Sequence, residues 1–216
     1  MPSRTSKGLN RIQRSLARPR PAAGPVLADH QIVDAIKAGD LRLEPFDATM
    51  IRPAAISLRL GSDAAVLCAS QPIDARDRET YPQLTARAPD AQGRLIIRPH
   101  EILLASTFEK LTVGDRLTGM LDGISDVARL GISVVLSQQV SPGFGAPDGA
   151  VITLEIVSRL PQPVILYPGT RICNLMLMPC GRASNSYSSM LYNHSSDSRA
   201  TPSNWAAYHE QVGTGR

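Results

Sequence analysis

The chain has 216 residues, long enough for one substantial domain with its own core, and its 43% hydrophobic and 19% charged side chains are a globular balance. No apolar run approaches the ~20 residues that span a bilayer as a helix. The net charge of +4 is unevenly held: Arg4, Lys7, Arg11, Arg14, Arg18 and Arg20 lie in residues 1–26 without an acid, leaving 17 basic and 19 acidic side chains for the remaining 190 residues. The body is not a polycation, which argues against nucleic acid as its partner.

Residues 1–26 read as a basic, disordered tail, because Pro19, Pro21 and Pro25 oppose regular structure. An arm for an acidic partner and an organellar transit peptide are the alternatives; no apolar core of a secretory signal is present, so a cytoplasmic location is expected. Asp29 is read as the N-cap of a short helix whose apolar face is Ile32, Val33 and Ile36 and whose end is Gly39. An extended piece over 41–46 follows, then an alternating strand from Ile51 to Gly61, then a polar surface excursion over 69–92. Strands are expected at 94–98, 101–107, 117–122, 132–137, 151–158, 163–167 and 172–178, separated by turn signals such as Pro99-His100, Ser141-Pro142-Gly143 and Pro168-Gly169. Many short strands at even spacing predict a mainly β fold, a distorted antiparallel barrel or jelly roll over residues 27–181. After Gly181 the composition turns to Ser, Asn and Tyr, and 182–216 reads as a C-terminal arm.

Cys68, Cys173 and Cys180 form no C-x-x-C pair and read as reduced, mostly buried thiols. The histidines are scattered, and Pro179-Cys180 is followed by Gly-Arg-Ala, so the zinc-deaminase signature is missing and no metal ligand set is expected. Chemistry points instead to Leu117–Ser137 and to Glu155. The first is a strand, a turn carrying Ser125 and Arg129, and a second strand. The second is a lone carboxylate in the apolar run Val151–Val157, costly there unless it is paired, shifted in pKa or used. Each residue also has a plainer reading: Glu155 facing solvent on an edge strand, Arg129 as a helix-terminal charge beside Gly131, Ser125 as an N-cap.

Eight short motifs occur in order: Leu27-Ala-Asp-His-Gln-Ile, Pro45-Phe46-Asp47, Ile56-Ser57-Leu58-Arg59-Leu60-Gly61, Leu103-Leu104-Ala105-Ser106-Thr107-Phe108-Glu109, Gly123-Ile-Ser125-Asp-Val-Ala128-Arg129-Leu130-Gly131, Ser141-Pro142-Gly143-Phe144, Thr153-Leu154-Glu155 and Leu166-Tyr-Pro168-Gly169. Together they resemble the trimeric dCTP deaminase and dUTPase superfamily, and more closely its deaminase branch. The resemblance implies a β-barrel homotrimer with active sites between subunits, a deoxycytidine nucleotide as substrate and hydrolytic deamination without zinc. No cofactor is required for the chemistry; Mg²⁺ enters only as a phosphate counter-ion. It further implies Glu155 as general base, with Ser125 and Arg129 holding the water and orienting the carboxylate. Desolvation among Ile152, Leu154 and Ile156 would raise such a carboxyl, and a nearby Arg129 would lower it again. Nucleotide contacts are implied at Ile124, Asp126, Val127, Ala128, Ser137, Gln138, Ser141, Thr153, Leu154, Tyr187 and His194.

The departures from the family pattern cluster on the phosphates. The turn starts with Ile124 where the family has a base, and Asp126 stands where a serine meets phosphate. His194 and Ser198 occupy the lysine and glutamine spacings of the family's C-terminal element. Losing two charge-assisted contacts weakens triphosphate binding on the order of 10²–10⁴-fold, with Arg171, Arg182 and Arg199 as candidates to replace them. Ser57 replaces a strand aspartate. Ser141 replaces the aspartate that dUTP diphosphatases and bifunctional deaminases carry before Pro-Gly, and the loop Gly143–Gly149 is longer than usual. The expected reaction is dCTP to dUTP and ammonia; a non-catalytic nucleotide sensor or protein-binding homologue is the alternative, and a dUTP diphosphatase the lesser one.

Overall fold

One long strand organises the molecule. The computed structural model describes residues 24–185 and Tyr187, so His194, Ser198, Arg199 and most of the tail and arm lie outside the described residues. Helix α1 (Asp29–Ala38) is followed by strands β1 (Leu41–Glu44), β2 (Ile51–Arg52), β3 (Ala55–Cys68), β4 (Gln83–Ala86), β5 (Leu95–Ile97), β6 (Ile102–Thr107), β7 (Lys110–Val113) and β8 (Leu117–Gly123). A single helical turn, α2 (Ser125–Ala128), leads to β9 (Ile132–Ser133), β10 (Gln139–Val140), β11 (Thr153–Ser158), β12 (Val164–Leu166) and β13 (Arg171–Pro179).

All pairings are antiparallel. The main sheet runs β10-β8-β13-β3-β6-β11-β9, with β2 and β4 also on β3, and two ribbons, β1–β7 and β5–β12, complete a curled, mainly β architecture. β3 is long enough to pair β13 with its first half and β6 with its second, with a register shift between Leu60 and Ala64. At that shift Gly61 lies so close to Ser106 and the Thr107 carbonyl that a Cβ has no room. Alternation directs Leu58, Leu60, Leu103, Leu111, Leu121, Leu154, Ile156 and Leu175 into one core.

Two polar features lie buried beside that core. The Glu109 carboxylate accepts the Arg59 backbone N–H at 2.9 Å and Arg59 Nε–H at 2.5 Å, while the guanidinium sits 4.5 Å over the Phe108 ring. Ser57, the departure from the usual aspartate, donates to Asn174 Oδ1 at 2.8 Å and accepts from Arg52 Nε at 3.0 Å. Its hydroxyl thus joins β2, β3 and β13 without a charge.

Several local expectations are corrected. Asp29 is the first helical residue rather than the N-cap. Ala28 caps α1 by donating its N–H to Gln31 Oε1 at 2.9 Å, and Gly39 ends the helix at φ 80. The excursion over 69–92 contains β4, and β7 was not foreseen. Only Cys173 is a buried thiol, its pKa pushed up by burial; Cys68 is exposed and Cys180 half-buried. Among the described residues no helix is long and apolar enough to cross a membrane.

Candidate active site

Glu155 is not surrounded by its sequence neighbours. Period-two alternation turns Leu154 and Ile156 fully into the core and Glu155, with Thr153 and Val157, to the other face of β11. There the carboxylate is half-buried, and Oε2 accepts the backbone N–H groups of Leu136 and Ser137 at 3.2 and 3.3 Å. The strand expected over 132–137 is cut to Ile132–Ser133 because those two amides turn to the carboxylate. β11 is also no edge strand: β6 pairs it along Thr153–Val157 and β9 at Val157–Ser158. The start of β11 is fixed by Thr107, whose Oγ1 accepts the Ile152 N–H at 2.9 Å and donates to the Glu109 carbonyl at 2.8 Å.

Gly123 ends β8, and the chain turns at Ile124, whose N–H donates to the Ile172 carbonyl at 3.3 Å. Ile124 is the N-cap of α2 and makes no side-chain cap bond; Ser125 is the first helical residue, so its N-cap reading fails. Val127 is buried, while Ser125, Asp126, Ala128 and Arg129 are exposed. Arg129 reaches back to Asp126 at 3.8 Å and is 79% exposed. No hydrogen bond or ion pair among the described residues joins Ser125 or Arg129 to Glu155. Within the chain the three catalytic candidates are therefore not linked by hydrogen bond or ion pair among the described residues.

The remaining candidates divide in the same way. Ser137 touches Glu155 through its amide, the Gln138 carbonyl accepts Leu121 N–H at 2.8 Å, and Ser141 accepts Phe144 N–H at 3.1 Å to close a turn. Leu154 offers no side chain to a ligand, being fully buried. The Tyr187 N–H donates to the Pro142 carbonyl at 3.1 Å, and its ring lies 5.8 Å from that of Phe144. Arg182 is taken by Asp115, Nε to Oδ2 at 2.7 Å. Arg171 is exposed, its side chain has no hydrogen bond or ion pair among the described residues, and it adjoins Ile172, whose carbonyl accepts the Ile124 N–H. Sequence reasoning missed the amides of Leu136 and Ser137 as the holders of Glu155. Their signal was the polar Ser137-Gln138-Gln139 run ending an apolar strand.

A protein-family model described as dCTP deaminase-like matches residues 26–180, from α1 to the end of β13. The chain belongs to this family. A relative named "dCTP deaminase, dUMP-forming" from Persephonella marina is 34% identical over 152 residues, covering 70% of this chain and 82% of its own. Another of that name from Salinispora tropica is 32% identical over 171 residues, covering 77% and 86%. The crystal structure of 2'-deoxycytidine 5'-triphosphate deaminase from Agrobacterium tumefaciens aligns with a TM-score of 0.56 at 19% identity, over 82% of this chain and 54% of that one. At that identity the likeness shows the fold alone, and the chain spans about half of that longer one. The family's matched span contains α2, the Leu136–Ser137 amides and Glu155. It stops short of Tyr187.

Proposed function

We propose that the protein is a hydrolytic, zinc-independent deaminase that converts dCTP to dUTP and ammonia, feeding dUMP and dTTP synthesis. The observation that carries this reading is the Glu155 carboxylate, fixed by two backbone amides on the matched β11. A carboxylate held in this way keeps one oxygen directed at a water. Glu155 takes a proton from that water as its oxygen adds to C4 of cytosine, and hands this proton to N3. The new C4 hydroxyl then gives its proton to Glu155, which passes it to N4; the C4–N4 bond breaks, ammonia leaves and the C4 carbonyl forms. The 136–138 carbonyl groups receive the water and the amino group.

Ser125 and Arg129 complete the site from a neighbouring copy in a homotrimer. This is supported by the lack of a hydrogen bond or ion pair to Glu155 among the described residues and by exposed Leu130, Leu136 and Leu160 beside both halves. Arg171 is the cation for the phosphates, next to the turn that carries Ile124 and Asp126 in place of the usual base and serine. Tyr187 contacts the nucleotide from the Ser141–Phe144 turn on which it docks.

The relatives' names put dUMP among the products. Ser141 argues for dUTP here, because a hydroxyl is a poor base for the water that would cleave the triphosphate.

The test is to incubate the purified protein with dCTP, dCMP and dUTP plus Mg²⁺ and to separate the products. Uracil nucleotide from dCTP without pyrophosphate supports the proposal, and pyrophosphate from dUTP overturns the product assignment. No turnover by a folded assembly transfers the chain to the binding-protein reading. Glu155→Gln is expected to cut turnover at least ~10²-fold with the melting temperature unchanged; retained activity removes Glu155 as the base.

A further inference from the structure

Residues 141–150 leave β10, lie along β7 and enter β11. Their backbone is pinned at both feet. Gly143 N–H donates to Val113 O at 2.9 Å and Val113 N–H to Phe144 O at 2.8 Å, while Leu111 and Ala150 exchange bonds of 2.8 and 2.9 Å. Between the feet the chain arches through Gly145–Gly149. Gly145, at φ 71, packs so tightly on the Leu111 carbonyl that no side chain fits there, and Gly149 turns back at φ 83.

The arch is held from the far side of the ribbon. Arg42 of β1 stands opposite Thr112 of β7. Its Nη2 donates to the Pro147 carbonyl in the arch and to Thr112 Oγ1 at 3.2 Å. That hydroxyl in turn donates to the Gly145 carbonyl at 3.5 Å. Arg42 therefore reaches across a neighbouring strand and holds both limbs of the arch, one directly and one through Thr112. It makes no ion pair among the described residues, so its donors go to neutral oxygens of this loop. Both bonds leave the single nitrogen Nη2, whose direction the rigid guanidinium plane fixes, whereas a lysine ammonium is a freely rotating point donor.

What the arch supports gives the clamp its consequence. Its first foot is the Ser141–Phe144 turn, on which Tyr187 docks through the Pro142 carbonyl and the Phe144 ring. Its second foot runs into Thr153 and Glu155 of β11. The amides that hold Glu155 lie upstream of the arch, in Leu136 and Ser137, and are reached without it. A loosened arch therefore disturbs the turn and Tyr187 before it disturbs the carboxylate.

We infer that Arg42 is a positioning residue for nucleotide binding: it clamps the 141–150 arch and so fixes the Ser141–Phe144 turn and the tyrosine seated on it. The inference rests on the deaminase reading of this site. Its signature is a split between binding and turnover, with affinity falling and the chemical step kept.

The experiment compares wild type, Arg42→Ala and Arg42→Lys as full chains, by steady-state kinetics with dCTP and by backbone hydrogen exchange without nucleotide. Arg42→Ala is expected to raise KM roughly five- to twentyfold. Its kcat should stay within about twofold, with faster exchange confined to 141–150. Arg42→Lys should lie between the two on both readouts. An unchanged KM overturns the inference. A raised KM with unchanged loop exchange also overturns it, because Arg42 then meets the nucleotide itself. A fall in kcat with faster exchange throughout the sheet assigns Arg42 to the fold and overturns it as well. If wild type turns over no cytosine nucleotide, only the deaminase reading falls. The clamp is then judged by loop exchange together with the calorimetric affinity for dCTP, and an unchanged value of either overturns it.

Discussion

Removing the Glu109 carboxylate should unfold this protein more readily than any loss of a surface charge. The side chain is 2% exposed and its partner Arg59 20% exposed. It accepts both the Arg59 backbone N–H and Nε–H. Glu109→Ala leaves a largely buried guanidinium without its counter-ion and a strand amide without its acceptor, and breaking such a pair costs about 3–5 kcal/mol. The Phe108 ring still covers the guanidinium, and its partial exposure readmits some water, so the lower end, about 3 kcal/mol, is expected. Arg59→Ala should cost a similar amount, and the double variant less than the sum by about 1–3 kcal/mol. Urea unfolding followed by circular dichroism at fixed protomer concentration measures this, provided the m-values agree. A Glu109→Ala cost under about 1 kcal/mol, or full additivity in the cycle, refutes the reasoning.

Arg171→Ala should raise KM for dCTP roughly tenfold and change KM for dCMP far less, since its proposed partners are the outer phosphates; equal effects on the two nucleotides remove it from the phosphate site. At Glu101, burial alone would raise the carboxyl, but hydrogen bonds from Arg87 and Arg98 hold it below its ordinary value of 4.5. A depressed folded pKa contributes stability that is complete above the unfolded value and is lost as pH falls through the folded one. Glu101→Gln should therefore flatten the fall in urea midpoint below about pH 4.5, and parallel curves for the two proteins would contradict the assignment.

Elements whose residues alternate against a single core were legible in the sequence. The expected strands at 101–107, 117–122, 151–158 and 172–178 match β6, β8, β11 and β13 to within two residues at each end. β7 escaped notice because Lys110-Leu-Thr-Val is short and abuts turn residues, and its partner β1 is distant in sequence. β9 came out shorter than expected because tertiary demand overrode strand propensity, with the Leu136 and Ser137 amides serving Glu155. For the site, motif order nominated Glu155, Ser125 and Arg129 as candidates. It did not show that their partners within the chain differ, the Leu136 and Ser137 amides for Glu155 and Asp126 for Arg129, since motif order holds no distances. The carboxylate's burial was misjudged for a simpler reason: neighbours in a strand face opposite ways, so Leu154 and Ile156 describe the core and say little about Glu155.

The long β3 has a consequence for how this chain comes to be folded. Its first half is covered on one edge by β13, and Ser57 meets Asn174, 117 positions further along the chain. During synthesis that apolar edge therefore waits for more than half of the chain to appear, on the order of 6–20 s at cellular elongation rates. Leu27, near the first described residues, donates its amide to Leu177, so the sheet closes only as the last strand arrives. For a nascent chain with such non-local pairing, the vulnerable interval precedes release, and a truncated product ending before β13 is a strand edge without a partner.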